Sequence, residues 1–239
     1  MGDVARLVRA PQLLVAALGV LAGCWIALGR LATPPLAWWA ALAAIGLGAA
    51  GSALGRRRDV TASSGAADFV VFAGVVIGVA GAMLVGGAAV AVGLAGCAAI
   101  ALLPALERRQ PFQRIALAVV SGLPLLYGAI AVARPAQGLV PWTLASWLAL
   151  VRGLAADAER QPGRPWLTIV LAIGFVPVSL LLPARAGYRG AYFVLAIFAQ
   201  LAVLVVATRL IVGRSERLGL LLKGAMAVGL VALVAGRVG

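Results

Sequence analysis

The sequence predicts an all-α polytopic membrane protein of nine transmembrane helices with a cytoplasmic N-terminus. Three observations carry that expectation. First, 64% of the residues are hydrophobic and 11% charged, with a mean hydropathy of +1.09, more apolar surface than one globular core under a polar coat can hide. Second, the apolar residues fall into runs near the length needed to cross a hydrocarbon layer, about 20 residues at ~1.5 Å each. Third, the arginines gather in alternate connections between those runs.

Arg6 and Arg9 precede the first run, Pro11–Leu31, and Arg30 with Pro34 closes it. The second, Pro35–Gly55, opens on proline and ends at Arg56-Arg57-Arg58. Ala67–Val85 and Gly87–Leu103 follow, separated only by the Gly86-Gly87 step, which predicts a tight helical hairpin. Glu107-Arg108-Arg109 ends the fourth run, and Gln113–Ala133 reaches Arg134. The sixth is Val140–Leu154, ending where Arg152, Asp157, Glu159 and Arg160 crowd the sequence. Trp166–Pro183, Gly190–Val212 and Leu218–Val234 complete the set, with Arg185, Arg189, Arg214 and Arg217 in the gaps. Helices rather than strands follow from run length, since a spanning strand needs only about 10 residues.

Nine spans from a cytoplasmic start put Arg6, Arg9, Arg56, Arg57, Arg58, Arg108, Arg109, Arg114, Arg152, Arg160, Arg164, Arg209, Arg214 and Arg217 inside, leaving Arg30, Arg134, Arg185, Arg189 and Arg237 outside. Fourteen against five is the positive-inside bias expected of that orientation. All seven acids, Asp3, Asp59, Asp68, Glu107, Asp157, Glu159 and Glu216, fall on or near the same face. The chain therefore reads as a single transmembrane domain, residues 1–239, with two polar cytoplasmic loops near 56–66 and 153–165. Integration in a bacterial inner membrane is the matching localisation.

Several function classes drop out. The net charge of +13 is spread over short loops with no aromatic-interleaved basic domain, so nucleic acid is excluded as a partner and anionic lipid headgroups are favoured. With no histidine, imidazole ligation and imidazole acid–base catalysis are impossible. Cys24 and Cys97 lie inside apolar runs and read as small buried residues, without disulfide or metal spacing. Leu21-Ala-Gly-Cys24 has the look of a lipoprotein signal, but an apolar segment follows it and Leu94-Ala-Gly-Cys97 repeats it deep in the fourth run. Trp25, Trp38, Trp39, Trp142, Trp147 and Trp166 lie mostly near run ends and read as interface anchors. Glycine-rich stretches such as Gly46-Leu-Gly-Ala-Ala-Gly51 permit close helix approach. Pro124 and Pro177 predict kinks within spans.

The stretch from Arg152 to Thr168 carries the strongest motif. Asp157, Gly163 and Thr168 resemble the second Asp-rich motif of the UbiA superfamily of intramembrane prenyltransferases, near D-x-x-D-x-x-G-D, with Arg160 and Arg164 at the other acidic positions. The Gly51–Asp59 stretch stands where that family has N-D-x-x-D-x-x-x-D, and keeps only Asp59, preceded by Arg56, Arg57 and Arg58. The aromatic and basic pair ahead of the family's fifth span falls at Leu103 and Glu107, with Arg108 alongside. The resemblance implies a UbiA-like bundle and two facing loops that, in the family, hold two Mg²⁺ ions on the diphosphate of an isoprenoid donor. Such ions need several converging carboxylate oxygens. Here Asp59, Asp157 and Glu159 stand among Arg56, Arg57, Arg58, Arg152, Arg160 and Arg164, a balance that repels dications.

These residues predict a vestigial metal or diphosphate site at Asp59, Asp157 and Glu159, with Arg56, Arg57, Arg58, Arg108, Arg160 and Arg164 as candidate phosphate binders and no bound metal. Guanidinium forks match phosphate oxygens, while the same acids and arginines can simply fasten the two loops together. The expectation is a catalytically silent prenyltransferase-like protein, a pseudoenzyme serving as accessory subunit of a membrane complex or holding an isoprenoid lipid, quinone or pigment. The alternative is an active divergent Mg²⁺-dependent prenyltransferase moving an isoprenyl group to a lipid or aromatic acceptor. A membrane carrier is a third reading, disfavoured because no charge sits at a span's centre.

Overall fold

The computed structural model describes residues 10–56, 64–160, 165–214 and 216–238, and every regular element among them is helical. In chain order these are α1 (Ala10–Leu28), α2 (Pro35–Arg56), α3 (Ser64–Val85), α4 (Gly87–Leu102), α5 (Gln110–Ala131), α6 (Pro135–Arg160), α7 (Trp166–Arg185), α8 (Gly190–Ile211) and α9 (Leu218–Ala235), with a 3₁₀ turn, Leu103–Arg109, between α4 and α5. Eight of the described helices are long and apolar enough to cross a membrane; α1 contributes a shorter apolar stretch, Gln12–Leu28. Large side chains such as Phe69, Phe72, Met83, Val194 and Phe198 are exposed, as the flank of a bundle in lipid requires. This is a polytopic integral membrane protein.

Successive helices run antiparallel, so the C-terminal ends of α2 and α6, which precede the two predicted polar loops, fall at one end of the bundle. Gly86 is the entire link between α3 and α4; its φ of 135° is open only to glycine. The hairpin expected at Gly86-Gly87 is therefore present. At the end of α1 the chain turns three residues earlier than expected, because Gly29, with φ 70°, takes the left-handed position and donates its N–H to the Trp25 carbonyl at 2.9 Å.

The largest departure concerns α6. The span expected over Val140–Leu154 runs from Pro135 to Arg160, and most of the stretch read as a loop from 153 to 165 is helix through Arg160. The cause is local: Leu154, Ala155, Ala156, Ala158, Glu159 and Arg160 are strong helix formers, so the helix continues beyond the point where hydropathy falls. The consequence is that Asp157 and Glu159 ride on a rigid helix.

Two kinds of core hold the bundle. Around α1 to α5 it is built of small residues, including Ala37, Ala40, Ala43, Ala82 and Ala89. Gly23 of α1 lies against the Leu125 backbone, and Gly128 of α5 lies against the Val20 carbonyl, bringing the two helices into backbone contact as small-residue crossings do. Buried Cys24 closes this crossing by donating its thiol to the Gly128 carbonyl at 3.1 Å. Around α6 to α9 the core is bulkier, with Leu144, Leu148, Val151, Phe175, Val203, Val206, Leu218 and Leu222. Glycine-rich α2 and α3 mesh likewise: a Cβ on Gly46 would stand 2.7 Å from the Gly74 carbonyl.

Trp38, Trp39 and Trp166 are exposed at helix starts, where anchors belong. Trp142 and Trp147 do something else. Their indole N–H groups donate to the carbonyls of Val119 at 3.2 Å and Leu171 at 3.0 Å, tying α6 to α5 and α7. Pro183 lacks the N–H that would normally bond the Ser179 carbonyl one turn earlier. The Tyr192 hydroxyl donates to that freed oxygen at 2.6 Å, and the Gln200 amide donates to the Ser179 hydroxyl at 2.9 Å. At the end opposite the polar loops, Arg134 donates to the Ala27 carbonyl and Arg237 to the Ala186 carbonyl, each at 3.2 Å. Two of the five arginines on the minority face thus serve as helix C-terminal caps.

Candidate functional site

The C-terminal turns of α6 lie between the first turns of α5 and α9. On α6, residues 157 and 159 differ by about 200° around the helix axis, at ~100° per residue, so their side chains leave in opposite directions. Asp157 faces α5. Arg114 grips it with both prongs of the guanidinium, Nε donating to Oδ2 at 2.7 Å and Nη2 to Oδ1. The stem of Arg114 passes Gly153, one turn before Asp157 on α6, where even a Cβ would meet Arg114 Cδ at an ordinary contact distance of 3.4 Å. Glu159 faces α9, and its Oε1 accepts the backbone N–H of Gly219 at 3.0 Å. That N–H belongs to the first turn of α9, whose donors lack intrahelical partners, and a carboxylate there also meets the positive end of the helix dipole.

Of the residues singled out in the sequence, Asp157 and Glu159 are thus near neighbours with separate partners. Asp157 bonds to Arg114, which was not among the expected fasteners. Arg160 ends α6 exposed. Arg56 ends α2 and Arg108 sits in the 3₁₀ turn; their side chains, and all of Arg57, Arg58, Asp59 and Arg164, lie outside the described residues. Among the described residues no three of His, Cys, Asp or Glu come together as metal ligands. The described carboxylates therefore do not form the converging donor set that a divalent-ion cluster requires.

A pocket of about 390 Å³ opens beside this junction, walled by α5, α6 and α9. Arg114, Arg152, Arg217 and Lys223 line it together with Glu159, Leu117, Ser121 and Leu220. Arg217 holds a left-handed backbone, φ 58°, at the entry to α9, a conformation that strains a non-glycine residue by roughly 1–2 kcal/mol. Farther along the same three helices, joined by α7 and α8, is a second, smaller cavity of about 60 Å³, mostly apolar but reached by Ser179, Tyr192 and Gln200. Arg114, Arg152, Arg217 and Lys223 were not picked out in the sequence as a group. One signal was available: Lys223 is a lone lysine a few residues inside an apolar run, and ionisable residues within spans are functional candidates.

The fold, nine helices among the described residues with a polar junction at one end, is shared with known membrane-protein structures. Two solved structures superpose on nearly the whole chain. One is that of digeranylgeranylglyceryl phosphate synthase, with a TM-score of 0.83 and 14% identity over 98% of this chain and 97% of that one. Another is a UbiA homologue from Aeropyrum pernix K1, with a TM-score of 0.66 and 17% identity over 91% of this chain and 94% of that one. No protein-family model matches the sequence and no curated protein matches it. The likeness at these identities is one of fold: a prenyltransferase-like membrane bundle.

Proposed function

We propose that this protein keeps the prenyltransferase bundle without its metal-dependent chemistry, and acts as a non-catalytic membrane protein that holds an isoprenoid or other lipid, a quinone or a pigment, or serves as an accessory subunit of a membrane complex. One observation carries the reading. The two described acids of the α6 end are already used by the protein, Asp157 by Arg114 and Glu159 by the first turn of α9. A carboxylate freed for Mg²⁺ would leave Arg114 without its partner or α9 without its cap, and the cations of the neighbouring pocket would oppose any dication. Metal-free arginine contacts can hold a phosphate group yet supply less of the leaving-group stabilisation that ionising a diphosphate demands.

The test is transfer itself. Purified full-length protein in lipid nanodiscs, given Mg²⁺, radiolabelled isoprenyl diphosphates of several chain lengths and a panel of lipid and aromatic acceptors, is expected to yield no labelled product. Mg²⁺-dependent product formation that disappears in Asp157→Ala would establish the divergent-enzyme alternative instead.

A further inference from the structure

We infer that the cavity walled by α5, α6, α7, α8 and α9 is a hydration site, holding two hydrogen-bonded waters against the Gln200 amide near the middle of the membrane. The inference concerns the bundle itself and goes beyond the proposed function, since catalysis or its absence leaves it unchanged.

Gln200 is the eleventh of the 22 residues of α8, which puts it near mid-span, and at 7% exposure it faces the bundle rather than lipid. Its side-chain amide has two N–H donors and a carbonyl that accepts two bonds. One N–H goes to the Ser179 hydroxyl at 2.9 Å. The hydroxyl protons nearby are already committed: Ser179 donates to the Val176 carbonyl at 2.8 Å and Tyr192 to the Ser179 carbonyl at 2.6 Å. Among the described residues nothing donates to Gln200 Oε1 and nothing accepts its second N–H. Neither atom is sealed off by its neighbours, and Gln200 forms part of the cavity wall, so both open on its space. The surrounding hydrocarbon has no solvent to serve them, and a buried amide left bare is costly.

Size selects the occupant. About 60 Å³ is the space of two waters at ~30 Å³ each. It is less than half of the roughly 150 Å³ that admits benzene to an apolar protein cavity, and far below the roughly 300 Å³ at which small-molecule sites begin. A ring or a headgroup is too large, and an apolar chain would leave the amide bare. A wholly apolar cavity stays dry, but this one offers Oε1 and an N–H of Gln200 together with lone pairs on Tyr192 Oη and Ser179 Oγ. Two waters bonded to each other and to these atoms each reach the two or more partners that a buried water needs. Leu144, Leu148, Phe175 and Met226 make up the apolar wall and hold the pair against the polar side.

Full-length protein in nanodiscs of deuterated lipid, labelled with ¹⁵N and ¹³C, tests this by magic-angle-spinning NMR. Magnetisation transferred from water should reach the Gln200 side-chain N–H pair, assigned through its own backbone, at a mixing time when the amide of Val20, 0% exposed in the other core, is still dark. Gln137, exposed at a bundle end, marks full contact with water. Xenon reads the same cavity from its apolar side, because a dry apolar cavity takes it up and bound water bars it. The Met226 methyl, on the cavity wall, should not shift under xenon in the wild type and should shift saturably in Gln200→Leu, which removes the amide while Ser179 keeps its own bond to Val176. Met83, exposed on α3, should respond alike in both.

A Gln200 side chain as dark as Val20, or a saturable xenon shift of Met226 in the wild type, overturns the inference. Both readings come from the wild-type chain, so they decide even if Gln200→Leu fails to fold. The same xenon response of Met226 in wild type and folded Gln200→Leu overturns it as well. Transfer activity, present or absent, moves none of these readings, which keeps failure here apart from failure of the non-catalytic reading.

Discussion

Replacing Asp157 with Asn should destabilise the bundle by about 1–2 kcal/mol, and the loss should vanish when Arg114 is already Gln. The magnitude follows from the setting of the pair. Its side chains are 24% and 33% exposed, between the surface pairs worth about 0–1 kcal/mol and the buried ones whose breakage costs about 3–5. Two-pronged geometry raises the value within that interval, and water at the helix ends lowers it. A double-mutant cycle isolates the term: wild type, Arg114→Gln, Asp157→Asn and the double variant, each unfolded reversibly with SDS in bicelles and followed by circular dichroism. The coupling should be about 1–2 kcal/mol. A coupling below ~0.3 kcal/mol, the scatter of independent sites, would mean that Asp157 is not engaged by Arg114 and would refute the argument that this acid is already used.

Other consequences are as specific. Glu159→Ala should cost about 0.5–2 kcal/mol, the range of a lost N-cap, and speed amide hydrogen exchange in the first turn of α9. Tyr192→Phe should cost about 0.5–2 kcal/mol by orphaning the Ser179 carbonyl, and Pro183→Ala in the same chain should recover part of it by restoring an N–H to that oxygen. Gly128→Ala, whose Cβ would press on the Val20 carbonyl and stand 2.8 Å from the Cys24 nitrogen, should cost about 1–3 kcal/mol or more. Burial pushes the Tyr188 hydroxyl, in the α7–α8 connection, up to about 12 against the opposing pull of Arg237. A folded value above the unfolded ~10 gives stability that is whole below pH 10 and lost as pH rises through 12; Tyr188→Phe should lessen the slope of alkaline unfolding curves by the share of this one hydroxyl.

The spans were legible in the sequence because hydrocarbon thickness forces long apolar runs and because arginines and glycines punctuate them. Gly86 shows the rule at its simplest, as one residue both ends a run and permits the turn. The α6 terminus was not legible from hydropathy, since Ala, Glu and Arg are polar or small in composition and yet strong helix formers. The junction was harder still. Arg114 and Asp157 are 43 residues apart, and nothing local links them; only the packing of α5 on α6 does. The two-residue spacing of Asp157 and Glu159 did contain their divergence, because on a helix it sends them to opposite sides. The pocket cations come from three helices, and of these only Lys223 stands out in its own run.

Mn²⁺ binding followed by electron paramagnetic resonance tests the central claim most directly, with Mn²⁺ standing in for Mg²⁺. Full-length wild type and Asp157→Asn, titrated side by side in nanodiscs, should bind Mn²⁺ equally weakly and without a saturable site, because the carboxylate removed was already held by Arg114. A saturable Mn²⁺ site present in the wild type and absent from Asp157→Asn would contradict the account.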